Sequence, residues 1–454
     1  MVTQVQPSTA RRKAFHFTDG YPFIGNILEF NRDRLGFLQR MACEGDVCGM
    51  RFGPFPVILF NRPEYVHSIL VEHAYDFDKG IGIHNTFRPA IGDGIFSSEG
   101  EFHRRQRKIM APSFQPRHIA SYADIIGHYG EQIQQTWADG SIIDINRQMT
   151  GLTMSVIGKA LFDADVFSEA DELGAAMSVT LEYISHNLST LLPPPYSWPT
   201  PGHRRVHKAA AVLRNRIQRF IDERRASPME RNDFLSILLE ARDEDGNPMS
   251  DAQLMAECLT LFGAGHETTA TALTWTWYLL CQHPDIYEKV QQEVDSVLQG
   301  RTPTYADLAR LPYCLQVFKE SMRLYPPAYG FSRRALKDVE IDGYLVPANW
   351  IVLVAPYTLH RRAEFFPQPE TFDPERFAPE REKLLPRYAY MPFGAGPRIC
   401  IGMHLAMMEG HLLLATLAQR ASFTLLPGQS IKIDPVHNLT LRPAGAVNVQ
   451  VKKR

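Results

Sequence analysis

The chain has 454 residues, with 48 Lys and Arg against 50 Asp and Glu, for a formal net charge of −2. A hydrophobic share of 44% with 11% aromatics is a globular composition and excludes a chain disordered throughout, and the even charge balance excludes a dedicated nucleic-acid binder. The six cysteines (Cys43, Cys48, Cys258, Cys281, Cys314 and Cys400) contain no CxxC pair, so they read as thiols of a reducing, cytoplasmic compartment rather than a disulfide framework.

In chain order, residues 1–30 hold no apolar run long enough for a signal peptide or a transmembrane anchor, and residues 1–20 read as loosely ordered. Val57-Ile58-Leu59-Phe60, after Gly53-Pro54, predicts a short buried strand. A basic helix over 101–111 stops at Pro112, and a second over 119–137 ends at Asp139-Gly140. Helical pattern runs through 168–192 until the prolines of 191–202 impose a loop. Helices are then expected over 203–226, 233–243, 251–282, 284–299 and 304–324, the last ending at Tyr325-Pro326-Pro327. Residues 333–355 change to β-branched runs around turn residues, the pattern of a hairpin. Residues 361–399 are rich in loop formers, a helix follows over about 402–420, and short strands close the chain. With no repeat and no linker, this reads as one mainly α domain spanning 1–454 with a small β-rich region.

One stretch, Leu259 to Cys281, is long and almost uncharged enough to pass for a membrane span. His266 and Glu267 sit near its middle, and a carboxylate at a bilayer centre is costly. A helix through the core of a large domain fits better.

The chemistry concentrates in residues 393–402, Phe-Gly-Ala-Gly-Pro-Arg-Ile-Cys-Ile-Gly. Gly394, Gly396 and Pro397 enforce a tight, irregular turn. Cys400 then stands just before a helix, where free backbone N–H groups and the positive end of the helix dipole are expected to lower its pKa. Such a cysteine is a nucleophile or a metal ligand. The loop offers no histidine base, which favours a metal or haem ligand.

Phe393-x-x-Gly396-x-Arg398-x-Cys400-x-Gly402 resembles the haem-binding signature of the cytochrome P450 superfamily, and three further patterns follow in that family's order. The resemblance implies haem b, with Cys400 as its axial thiolate, Phe393 shielding the sulfur and Arg398 on a haem propionate. Attachment is non-covalent, since no CxxCH motif exists. Glu320-Ser-Met-Arg323 places an acid and a base on one helix face, and the family pattern joins Arg376, in Phe-Asp-Pro-Glu-Arg-Phe, to that pair as a buried structural triad. Ala264-Gly-His-Glu267-Thr268-Thr lies in the long helix. Its Thr268 hydroxyl can bond back to the carbonyl of Ala264, and Glu267 with Thr268 resembles the acid–alcohol pair that delivers protons to iron-bound dioxygen. The fourth pattern is Gly100-Glu-Phe-His103-Arg-Arg-Gln-Arg107, where the family commonly has Trp-x-x-x-Arg. Here His103 replaces the tryptophan and keeps a propionate donor. Arg107 and Arg333 complete the expected propionate set.

The family's pocket walls correspond to residues 80–97, Leu191–Trp198 and Phe262–Ala264, all apolar enough for a lipophilic substrate. The helical segments resemble fatty-acid-hydroxylating members more than those acting on smaller terpenes. The function implied is a monooxygenase that takes O2 and inserts one oxygen atom into a fatty acid or other lipid-like molecule. Electrons would come from NAD(P)H through a separate reductase with a ferredoxin or flavodoxin. Arg104, Arg105, Lys108, Arg117 and His118 form a basic cluster that could meet an acidic electron-transfer partner. A peroxide-driven peroxygenase of the same fold is disfavoured by the acid–Thr pair. A non-catalytic haem-thiolate sensor is disfavoured because it would need neither that pair nor a roomy pocket.

Overall fold

The computed structural model describes residues 12–226, 233–242, 246–429, 431–433 and 439–454. Its centre is one helix, Asp251–Gln282, started by the Ser250 side chain, which accepts from the Gln253 N–H. The helix is buried nearly all round because other helices cover it on several sides: Ile145–Phe162, Ala170–Leu188, Pro312–Leu324 and Met403–Arg420. Gly263 and Gly265 permit that closeness. A Cβ on Gly265 would lie 2.7 Å from Ile157, and one on Gly263 would lie 3.1 Å from Met177. No helix among the described residues is long and apolar enough to cross a membrane.

The expected helices form: Gly100–Met110, Ala123–Gln135, Pro201–Ala226, Phe234–Glu240 and Pro284–Leu298 all lie within about four residues of the boundaries predicted. The segment 304–324 splits at Leu311-Pro312 into a 3₁₀ turn, Tyr305–Arg310, and an α-helix, Pro312–Leu324. The sequence reading missed Ile145–Phe162 altogether. That helix buries residues on every side, so no polar face marks its period. Thr150, Thr153 and Ser155 turn their hydroxyls back onto carbonyls one turn earlier instead of advertising a surface.

The β region is larger than a hairpin. A six-stranded sheet runs in the order His16–Phe17, Val47–Phe52, Phe55–Phe60, Ile351–Val354, Phe331–Ala335, Phe77–Asp78. The two-residue strand Phe77–Asp78 pairs antiparallel with Ala335 and Arg334, and Arg334 closes the edge with a 2.5 Å ion pair to Asp78. This edge sets Lys79 beside Arg333. The hairpin read from 333–355 is present as Val339–Ile341 and Tyr344–Val346 around Asp342-Gly343, flanked by the two sheet strands. The carboxy-terminal strands Ala421–Leu425 and Asn448–Lys453 form a separate sheet with Ile142–Asp144. Of the segment expected to be loose, residues 1–11 lie outside the described residues. The remainder is tied down: Lys13 bonds Asp342 at 2.7 Å, and His16 and Phe17 pair with Cys48 and Gly49.

Candidate active site

The loop before the last helix is built for Cys400. The Cys400 N–H donates to the Phe393 carbonyl at 2.9 Å, closing the loop across Gly394 and Gly396, which take φ of 72° and 69°. At Gly396 no side chain fits, because a Cβ would lie 1.8 Å from the Leu70 carbonyl oxygen. Cys400 keeps free surface although protein packs densely about it. Burial pushes its thiol up, against the pull of the Gly402 N–H and Arg107. This corrects the direction expected from the helix dipole: in the chain alone, desolvation outweighs the dipole, and a bound cation is what would draw the thiolate out. Among the described residues no group of three or more His, Cys, Asp or Glu side chains could hold a metal ion.

Around this loop gather more cations than the neighbouring carboxylates neutralise. Lys79, Arg107, Arg333, Arg398 and the imidazole of His103 lie close enough to repel one another. Burial and the neighbouring cations lower Arg333 to about 10 and His103 to about 3, and burial pushes Lys79 well down. His103 is therefore a neutral donor at working pH. Glu99 pairs with Arg398 and accepts the Lys79 backbone N–H at 2.9 Å, Asp78 acts on Arg333 and Arg398 while paired with Arg334, and the Lys79 ammonium donates to the Phe96 carbonyl. Arg398 also donates to the Ser98 carbonyl at 2.8 Å, while its Nη1 is buried without a hydrogen-bond partner. Arg333 donates to the Ser332 carbonyl at 2.8 Å and lies over the Phe331 ring. Buried positive charge in this excess, with an orphaned guanidinium nitrogen, is the counterpart of a ligand with more than one carboxylate. Together with a single thiol donor, it fits a haem and its two propionates. The sequence reading found His103, Arg107, Arg333 and Arg398 but missed Lys79 and Glu99. No local pattern marks these two; the sheet edge and the turn after Gly94 bring them in.

On the long helix, Ala264 is exposed although its neighbours Phe262, Gly263, His266 and Glu267 are buried. The Thr268 hydroxyl donates to the Ala264 carbonyl at 2.9 Å, and that of Thr269 to Gly265 at 3.3 Å. Glu267 does not turn toward Thr268. Successive helical residues point about 100° apart, and Glu267 instead accepts from the Thr440 hydroxyl at 2.8 Å, with Arg442 at 3.8 Å. Arg442 in turn donates to Ser178 at 3.1 Å. Phe262, expected on the pocket wall, points the other way: it is 1% exposed and packs on Phe162. In the proline-rich segment, Leu192 and Trp198 are exposed, and Leu191 lies against Gly53.

The Glu320–Arg323–Arg376 group is a buried network. Arg323 makes two bonds to Glu320, at 2.7 and 2.8 Å, and three more to the carbonyls of His360, Pro369 and Thr371. Arg376 lies 3.4 Å from Glu320, whose second partner is the Asp373 N–H at 3.0 Å.

Comparison with known proteins agrees with this geometry. A family model described as cytochrome P450 matches residues 16–449. The chain is 37% identical to cyclooctatin synthase of Streptomyces melanosporofaciens, over 98% of this chain and 97% of that one. It is 35% identical to cyclooctat-9-en-7-ol 5-monooxygenase of the same organism, over 90% and 89%. Among solved structures, retinoic acid-bound cyanobacterial CYP120A1 superimposes with a TM-score of 0.87 at 28% identity, over 98% of this chain and 100% of that one. The Cys400 loop, the cationic excess beside it and a family match over residues 16–449 agree, and the chain belongs to the cytochrome P450 family and is a monooxygenase.

Proposed function

We propose that this enzyme inserts one oxygen atom of O2 into a lipophilic, terpenoid substrate, using electrons from a separate protein. The names of the relatives, cyclooctatin synthase and cyclooctat-9-en-7-ol 5-monooxygenase, and the retinoic acid held by the structural neighbour support a polycyclic or polyene hydrocarbon skeleton. They shift the reading away from the fatty acid suggested by the helical segments. A haem bound here supplies the iron at which dioxygen is reduced and cleaved.

The chain's own residues do the rest. Cys400 gives the thiolate, with Arg107 and the Gly402 N–H beside it to balance its charge. Arg398, Arg333, Arg107, Lys79 and neutral His103 hold the propionates, and Phe393 covers the sulfur side. Ala264 offers a short side chain where bulk would obstruct substrate and oxygen. The Thr268 hydroxyl, already bonded to the Ala264 carbonyl, can hold a water and pass its proton. Glu267 collects protons from the Thr440 and Arg442 side and so resupplies the helix from outside the pocket. The basic face of Gly100–Met110, with Arg104, Arg105 and Lys108, and nearby Arg117 and His118, suits an acidic ferredoxin or flavodoxin reduced from NAD(P)H. All six cysteines are free, which suits the cytoplasm.

The observation that carries this reading is the thiol of Cys400 set beside a cluster in which buried cations outnumber carboxylates. Its test is the reduced carbon monoxide spectrum of purified protein. The wild type should show the thiolate-type band and Cys400→Ser should lose it; a mutant that keeps the band contradicts the assignment.

A further inference from the structure

The carboxyl of Glu257 is fully buried, yet nothing in the proton delivery or haem binding described above uses it. It stands seven residues before Ala264, two turns along the same stripe of the long helix and about 10 Å away. Both its oxygens are engaged. One accepts the Ile95 backbone N–H at 2.7 Å, and the other accepts Gln253 Nε2 at 2.6 Å. Gln253 also donates to the Asp93 carbonyl, at 3.2 Å. The carboxyl therefore grips the turn of residues 92–97 directly through Ile95 and indirectly through Gln253.

The turn is shaped for that grip. A Cβ on Gly94 would lie 2.2 Å from the Thr260 hydroxyl and 2.7 Å from the Ala256 carbonyl, and one on Gly92, at φ +89°, would lie 2.7 Å from the Ala256 methyl. Its far end is fixed by Arg398, which holds the Ser98 carbonyl. Its near end continues Ile81–Ile91, whose Pro89 and Ala90 carbonyls accept from Arg214 on Pro201–Ala226. The segment is thus a strap with two permanent ends and one acidic clasp in the middle.

We propose that Glu257 is a positioning residue for substrate entry, a latch whose buried carboxyl holds the 92–97 turn on the long helix and loosens as it loses its proton. The entry role rests on the reading that residues 80–97 wall the pocket; the latch itself does not. Burial raises Glu257 to about 7, against the lowering effect of the Ile95 and Gln253 donors. Asp93 is the charged group that faces it from the turn and raises it further, while Asp93 is itself paired with Arg88 at 3.0 Å. When the turn lifts, water reaches the carboxyl and its affinity for the proton falls to the ordinary carboxylate range. Closing therefore takes up a proton. The closed turn weakens as pH rises from about 4.5 to about 7, by up to a few hundredfold, and is insensitive to pH beyond that.

The test measures amide hydrogen exchange of the 92–97 segment in the haem-loaded enzyme, corrected for intrinsic rates, together with entry of methyl and cyclohexyl isocyanide, neutral iron ligands of different size. In the wild type, protection should fall at least tenfold from pH 5 to pH 7.5. The on-rate of cyclohexyl isocyanide should rise in parallel, while that of methyl isocyanide stays level. Glu257→Gln retains an acceptor and should make both profiles flat; Glu257→Ala should leave the turn unprotected at every pH. A flat wild-type profile, or an unchanged slope in Glu257→Gln, overturns the latch. Exchange that responds while cyclohexyl isocyanide does not overturns the entry role. The carbon monoxide band of each variant reports the haem-thiolate reading separately.

Discussion

Two buried charge groups in this molecule are built on opposite principles. In the Glu320–Arg323–Arg376 network, polypeptide meets nearly every polar demand: the carboxylate takes Arg323, Arg376 and a backbone N–H, and Arg323 spends its remaining donors on three carbonyls. In the group around Arg398, Lys79, Arg107 and Arg333 crowd a neutral imidazole, Glu99 pairs with Arg398, Asp78 near Arg333 is held by Arg334, and Arg398 Nη1 has no partner. The first closes on protein partners, apart from the buried Arg376 Nε, which lies 3.4 Å from Glu320 without a hydrogen bond. The second carries an electrostatic deficit that only an anionic guest removes. Structural and binding charge clusters can thus be told apart by their balance, not by their burial.

Three substitutions sharpen that contrast. The largest effect belongs to the chemistry that the second group serves. Thr268→Ala leaves both charge groups intact yet removes the proton-handling hydroxyl, and should lower product formation by about 10²–10⁴-fold, with electrons lost to hydrogen peroxide. Product formed per NAD(P)H consumed measures this, and unchanged coupling would make the hydroxyl a helix feature alone. Next comes Glu320→Ala. It strands Arg323 and Arg376 without their carboxylate and should destabilise the fold by about 3–5 kcal/mol in both haem-free and haem-loaded protein, read from denaturant midpoints. The smallest effect is the most discriminating. Arg333→Met removes a cation that burial already disfavours, so it should stabilise the haem-free chain by about 1–2 kcal/mol while loosening haem retention on the order of tenfold. Loss of stability in both forms would place Arg333 with the structural network instead.

Much of the site was legible in the sequence because its residues lie in short patterns with fixed spacing. Cys400 with its glycines, Glu320 with Arg323, and Thr268 with Ala264 each interact within one loop or one helical turn, so the short family patterns they resemble announce them. What the sequence concealed depends on tertiary approach. Lys79 enters through a two-residue strand pairing, and Glu99 and the Ile95–Glu257 bond enter through a turn folded back on the long helix. The helix Ile145–Phe162 was concealed for a different reason: burial on all sides erases the polar face by which a helix is recognised. The direction of the Cys400 pKa also needed the structure, since the dipole is local but desolvation is set by everything packed around the loop.

The central claim is that the cations around Arg398 are balanced by the carboxylates of a bound haem. It is tested most directly by titrating haem-free protein with haem and with its dimethyl ester, which presents the same macrocycle and iron without the two charges. Haem should bind at least tenfold more tightly than the ester, and Arg333→Met together with Arg398→Gln should erase most of that difference. Equal affinity of the wild type for the two would contradict the account.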